Sequence, residues 1–377
     1  LVFILLLSAA LLLYSFSPKA PYAPIDYITK YSGELNQDII MLDEAAAEFR
    51  LGNISQDSLQ KAVLKARLSY KKLEFYVAYQ YPEYVKEHIN GAPLLYIERA
   101  GTKARVLEPQ GLQVLDELVF SEEARAEAVK ITAVSKQLRN FYSQLFSGMH
   151  KVVGKEDGIA AMRLQLVRIF SLGVTGFDTP GSLNAIAEAQ ASLIGMKDFL
   201  NERYSGKKVA ELSILFDKSV QFLEGKDFER FDRLQFLKDY IDPLYAGLGT
   251  LSRETPEVVE NVSGWNSKST SIFANNFLNP YFYTELKKEE DTPQLRELGK
   301  TLFYDPVVSS EGTISCASCH QPEKAFTDGV PKSLSSIKGK MVLRNAPSLI
   351  NAVYSDRFFY DLRAFTLEQQ AEHVIFN

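Results

Sequence analysis

The chain is poor in the residues from which disulfide or metal frameworks are built. Its 377 residues include two cysteines, four histidines and one tryptophan. Two cysteines cannot lay out a disulfide scaffold, and a structural zinc site needs four ligands with no other thiolate to draw on. There is no basic excess: 42 Lys and Arg face 47 Asp and Glu, a formal net charge of −5, so no nucleic-acid partner is expected. The composition, 46% hydrophobic and 24% charged, is also too apolar for a disordered chain. Alternating strand patterns are scarce, which leaves a mostly α protein as the expected fold class.

Both cysteines lie in one pentapeptide, Cys316-Ala317-Ser318-Cys319-His320, with the form C-x-x-C-H of covalent c-type haem attachment. Two thiols about one helical turn apart can add across the two haem vinyl groups. The histidine beside the second then lies under the ring as proximal iron ligand. Two other readings use less of the motif: a redox disulfide gives His320 no task, and a zinc site lacks its remaining ligands. The expected cofactor is haem c, with Cys316, Cys319 and His320 as its site.

Leu1 to Phe16 is nearly all apolar and is followed by Ala20 and Ala23 as small-residue cleavage positions, so residues 1–20 read as a signal peptide or a short membrane anchor. The chain starts without an initiator Met, so the true beginning is expected upstream and an uncleaved anchor stays open. Export suits the motif, because c-type haem is attached outside the cytoplasm in bacteria. The expected location is the periplasm, with or without attachment to the inner membrane.

Residues 25–262 read as an all-helical bundle domain. Apolar stripes run through Gln60 to Tyr79, Glu122 to Met149, Ala160 to Leu172 and Leu183 to Tyr204, and the Gly, Pro and Asp-rich stretch Gly173 to Ser182 reads as a turn. Two patches, Ile89 to Leu95 and Glu108 to Asp116, resemble the imelysin-like family of exported helical bundles. Gln113 and Asp116 stand where that family has the histidine and glutamate of G-x-H-x-x-E, so an amide replaces a nitrogen ligand. A helix start with local polar capping is the expected role there instead of a metal site. His88 and His150 have no second ligand at i+3 or i+4 spacing.

The periodicity weakens over 263–291, read as a linker, and changes character from Thr292, an N-cap followed by Pro293. Leu295, Leu298, Leu302 and Phe303 then form one apolar face up to Asp305-Pro306. Leu298 to Pro306, Gly312 to Cys316, Thr327-Asp328-Gly329, Arg344 to Leu349 and Phe359 to Ala364 follow in an order that resembles the bacterial di-haem cytochrome c peroxidase and MauG superfamily. This resemblance covers about 298–377. It implies that 292–377 is a first, all-α c-type haem domain, incomplete at its C-terminus, with His320 as proximal ligand of the peroxidatic haem. Glu368 falls on the family's distal catalytic glutamate. Asn345 falls on an asparagine that helps bind calcium, and Arg344, in the same motif, is expected among the cofactor-binding residues.

Three departures bear on function. The offset of sixteen residues past the proximal histidine, where classical members have a histidine that can fill the sixth position, lands on Ser336. Met341 is the only methionine after the motif, and His373 the only later histidine, on a helix turn taken as exposed. Phe358 replaces a polar pocket residue, and Leu362 replaces the glycine of W-D-G-R. The chain has no second C-x-x-C-H, so the second haem is expected beyond residue 377. The implied activity is reduction of hydrogen peroxide to water with electrons from a small cytochrome c or cupredoxin. MauG-like oxidation of a protein side chain is one alternative. Another is a non-enzymatic electron-transfer cytochrome with a helical docking domain.

Overall fold

The computed structural model describes residues 26–97, 106–149, 155–252 and 264–376, apart from positions 310, 338 and 356. The apolar run Leu1 to Phe16 and His150 lie outside them. The fold is mostly α, and among the described residues no helix is long and apolar enough to cross a membrane. The chain divides into two units, 1–257 with 270–272, and 258–269 with 273–377.

The first unit is built on two 25-residue helices, α1 (Tyr27–Leu51) and α2 (Gln56–Gln80). Asp26 caps α1 by accepting from the Thr29 N–H at 3.1 Å, and the helix stops at Gly52, whose φ of 86° suits only glycine. Ser55 caps α2 in the same way through the Ser58 N–H at 3.2 Å. There follow α3 (Leu112–Phe120), α4 (Ala128–Gly148), α5 (Lys155–Arg168), α6 (Ala185–Arg203), α7 (Lys207–Leu223) and α8 (Asp242–Ser252). A two-stranded ribbon, β1 (Tyr96–Ile97) antiparallel to β2 (Val106–Leu107), precedes α3. α2 packs on α1 and α6, α1 on α4, and α5 on α8. α2 and α6 come close at Gly195, where a Cβ would strike the Lys72 carbonyl. The Tyr27, Phe75 and Phe199 rings meet there with centroids 5.1–6.1 Å apart. Each such fully buried aromatic contributes roughly 1.5–3 kcal/mol.

The stripes predicted at Gln60 to Tyr79 and Leu183 to Tyr204 fall within α2 and on α6 with small end shifts. The helix expected from Glu122 starts at Ala128, and the one expected through Leu172 changes after Arg168 into a wider π turn, Ile169–Gly173. Similar π turns occupy Val85–Ile89, which holds His88, and Leu237–Ile241. His88 is stacked on Phe141 with centroids 4.1 Å apart, a packing contact, and burial lowers its pKa from the ordinary value, with Glu87 opposing the shift.

Gln113 and Asp116 do not cap a helix. They lie inside the unit in a buried polar network: Gln113 Nε2 donates to Asp178 Oδ1 at 2.6 Å, and Asp116 Oδ2 accepts from the Gly181 and Ser182 N–H groups at 2.8 and 3.0 Å. Arg67 meets Glu188 through two bonds of 2.6 and 2.9 Å. The Lys71 ammonium spends its donors on both Glu74 oxygens, 2.9 Å each, and on Asp178 Oδ2 at 2.8 Å. Among the described residues no group of three His, Cys, Asp or Glu is placed to hold a metal ion.

The stretch read as a linker, 263–291, falls largely in the second unit and is structured. Trp265 pairs with Leu278 in an antiparallel bridge, and a 3-10 turn follows at Pro280–Phe282. The unit then carries α9 (Pro293–Tyr304), α10 (Cys316–Cys319) and α11 (Leu367–Phe376), joined by long irregular segments. Thr292 caps α9 by accepting from the Leu295 N–H at 3.2 Å. The predicted apolar face of α9 exists, yet Leu295, Leu298 and Leu302 are exposed.

Candidate haem site

The helical turn α10 presents the two cysteines. Ser315 opens it, its N–H donating to Ser318 Oγ at 3.0 Å, and the His320 N–H closes it on the Cys316 carbonyl at 2.9 Å. Both thiols are free, Cys316 exposed and Cys319 half-buried. Burial pushes the Cys319 thiol up, with the nearby Asp328 carboxylate adding to it. Asp328 itself is held below the usual carboxylate range by the Ser333 hydroxyl.

His320 is fixed from one side only. Its Nδ1 lies 2.9 Å from the Phe326 carbonyl oxygen. A carbonyl can only accept, so Nδ1 carries the proton and the Nε2 lone pair is left for a metal. The chain bends back to reach His320 because Ala325 and Phe326 take left-handed φ values of 55° and 60°.

A hairpin over 333–344 lies against the second thiol, with the Leu334 carbonyl 4.0 Å from Cys319 Sγ. Backbone bonds hold it: Val342 N–H to Ser333 O at 2.9 Å, Ser335 N–H to Lys340 O at 3.0 Å, and Ser333 N–H to Arg344 O at 3.2 Å. It carries Leu334, Ile337, Met341 and Leu343, exposed by 63, 54, 50 and 86%. A flat apolar prosthetic group tethered at Cys316 and Cys319 fits such an uncovered surface, and the free Nε2 of His320 completes the donor set. Ser336 stands in the turn of this hairpin.

The other predicted residues lie on later segments. Glu368 is exposed in the first turn of α11, one of its oxygens accepting from the Glu285 N–H at 3.2 Å. Thr366 caps that helix through the Gln369 N–H at 3.2 Å, so Glu368 also stands where the helix dipole favours a carboxylate. Arg344 is exposed with its guanidinium 4.9 Å from the Tyr360 ring centroid, and Asn345 is exposed beside it, with no metal-holding carboxylate cluster among the described residues. Phe358 pairs with Ala364 across a loop in which Phe359 and Leu362 have φ of 66° and 57°. His373 is half-buried, its ring 6.0 Å from that of Phe359, and is not the open surface residue expected.

The order of these segments along the chain can be compared with known proteins. Residues 293–377 match the di-haem cytochrome c peroxidase family. The family match begins five residues before the stretch on which the sequence resemblance rests. The chain is 40% identical over 100 residues to the cytochrome c551 peroxidase of Pseudomonas aeruginosa, covering 26% of this chain and 28% of that protein. It is 39% identical over 85 residues to the methylamine utilization protein MauG of Methylorubrum extorquens, covering 22% and 24%. It is 31% identical over 165 residues to the cytochrome c peroxidase Ccp of Escherichia coli, covering 42% and 35%. The chain thus spans about a quarter to a third of the length of these relatives.

Sequence reasoning did not find the Phe326 carbonyl, because neither a backbone oxygen nor a left-handed turn has a residue signature outside glycine. The internal network did leave a signal. Arg67, Lys71 and Glu74 recur at i, i+4 and i+7 on the same stripe as buried Val63 and Tyr70.

Proposed function

We propose that the second unit carries a covalent haem c on Cys316, Cys319 and His320 and serves as the peroxide-reducing domain of a di-haem peroxidase. The observation that carries this reading is the Cys–Cys turn followed by a histidine whose Nδ1 is already spent on Phe326, with Nε2 free. The bound haem would supply an iron that binds peroxide and accepts electrons. The net reaction joins one hydrogen peroxide with two electrons and two protons to give two waters. Glu368 is the chain's acid–base group: a carboxylate takes a proton from the near peroxide oxygen and returns it to the leaving one. The electrons come from a small cytochrome c or cupredoxin, and the site works outside the cytoplasm, where haem c is attached. Arg344 is assigned to holding the haem, and Asn345 would offer one amide oxygen to a calcium ion.

The test is haem retention. The matured chain, denatured on a gel, should keep its haem, and Cys316→Ala should weaken that retention. Complete extraction of haem from the matured wild type by acid acetone would sink the assignment. The match to MauG supports a second use of the same site, oxidation of a protein side chain. A modified partner protein, in place of steady peroxide turnover with a reduced donor, would select it.

A further inference from the structure

The segment Arg344 to Leu349 supplies more than Arg344 and Asn345. Its Ser348 sits 23 positions downstream of Ala325, yet its hydroxyl donates to the Ala325 carbonyl at 2.6 Å. The same oxygen accepts from the Ile350 N–H at 3.2 Å, so the direction of the hydroxyl is set. Ala325 and Phe326 are the two consecutive non-glycine residues held at left-handed φ between His320 and Thr327. L-residues rarely adopt that conformation, and it persists only where surrounding groups over-determine it. Here the Phe326 N–H donates to the Gln321 carbonyl at 2.8 Å and the Ala325 N–H to the Pro322 carbonyl at 3.2 Å, while the Phe326 ring lies edge-on to Phe303 of α9 at 6.2 Å. The Ala325 carbonyl is thus anchored by a side-chain hydrogen bond from a distant part of the chain.

We propose that Ser348 is a positioning residue for His320. By clamping the Ala325 carbonyl it keeps the strained pair in place, and the strained pair aims the Phe326 carbonyl at His320 Nδ1. That hydrogen bond fixes the imidazole tautomer and ring orientation and raises the basicity of Nε2 toward iron. Loosening the clamp weakens the bond, makes the imidazole a poorer donor, and shifts the iron toward its ferrous form. This inference rests on the haem reading above.

The experiment compares the matured full chain with Ser348→Ala and Ser348→Thr, the latter keeping a hydroxyl. Haem retention on the denatured chain is read first, then the ferric/ferrous equilibrium by redox titration. Ser348→Ala should retain haem and move the equilibrium toward ferrous by about three- to tenfold, about 30 to 60 mV for a one-electron couple. Ser348→Thr should stay within about twofold of wild type. Unchanged titration in Ser348→Ala, with haem retained, overturns the clamp. Loss of haem from the denatured wild type overturns the haem reading instead. If Ser348→Ala does not accumulate, Ala325→Gly is added, since glycine takes the left-handed turn without strain. The double variant should then fold and titrate within about twofold of wild type, and failure to recover overturns the proposal.

Discussion

At the scale of single residues, what could be read from the sequence depended on whether the chemistry lives in a side chain. Cys316, Cys319 and His320 are legible because thioether formation and iron ligation require those atoms at that spacing. The Phe326 carbonyl is not, since every residue has a carbonyl and only the backbone path decides which one meets His320. Glu368 stands between these cases. Its place in the first turn of α11, with the Glu285 N–H on one oxygen, would suit a helix-start carboxylate as well as a proton shuttle. The two roles predict different losses. Glu368→Gln removes the titrating oxygen at nearly the same shape, so a shuttle should slow the first reaction with peroxide roughly 100- to 10,000-fold with little change in stability. An undiminished rate would return Glu368 to a structural role. The assay starts from ferric protein without prior reduction, because Ser336, with its neutral hydroxyl, stands where classical members have a displaceable histidine. A lag abolished only by pre-reduction would show that another group, Met341 or His373, fills the sixth position.

At the scale of elements, periodicity located the helices well because an apolar stripe is a property of spacing. It says nothing of the polar interior, because an apolar stripe does not show which charged residues turn inward with it. α2 turns Arg67, Lys71 and Glu74 inward, where α3, α6 and the loop holding Asp178 supply Asp116, Glu188 and Asp178. Charges so deep are costly unless paired, and removing one partner of such a pair costs about 3–5 kcal/mol, the loss expected for Lys71→Ala in chemical denaturation. Glu188 adds a pH dependence. Burial pushes its carboxyl above the ordinary glutamate value, with Arg67 opposing the shift. The folded chain therefore holds that proton more tightly than the unfolded one. The stabilisation is full below the ordinary value, about 4.3, and is lost as pH rises through the raised one. Between pH 7 and 4.5 the denaturation midpoint of wild type should thus rise relative to that of Glu188→Gln, which has no such proton. Parallel curves would mean that Glu188 stays ionised in the fold. In the second unit the irregular segments were legible only as motifs. Leu362 holds a left-handed φ of 57°, a bend that glycine adopts more readily and that the residue itself does not signal.

At the scale of the molecule, the apolar face of α9, which the spacing of its leucines made legible, and the hairpin over 333–344, which had no sequence signal, both present exposed apolar side chains in the second unit. The proposed haem on Cys316 and Cys319 would lie against the hairpin, whose Leu334 carbonyl is 4.0 Å from Cys319 Sγ. Within the 377 residues there is one C-x-x-C-H and no other cysteine, so this stretch can hold a single covalent haem. The resemblance places electron entry at the other haem. Peroxide reduction needs two electrons for each molecule, and a single site fed directly by a small one-electron donor protein must wait for two separate encounters. The 377-residue chain, matured with haem, should therefore consume peroxide once, in proportion to its haem, and then stall in the presence of reduced cytochrome c or cupredoxin. Stopped-flow absorbance at the haem band and donor oxidation at a second wavelength would separate the two phases. Steady oxidation of the donor at a rate comparable with the first phase would show that one haem is enough and that electrons reach His320's side of the site without a relay.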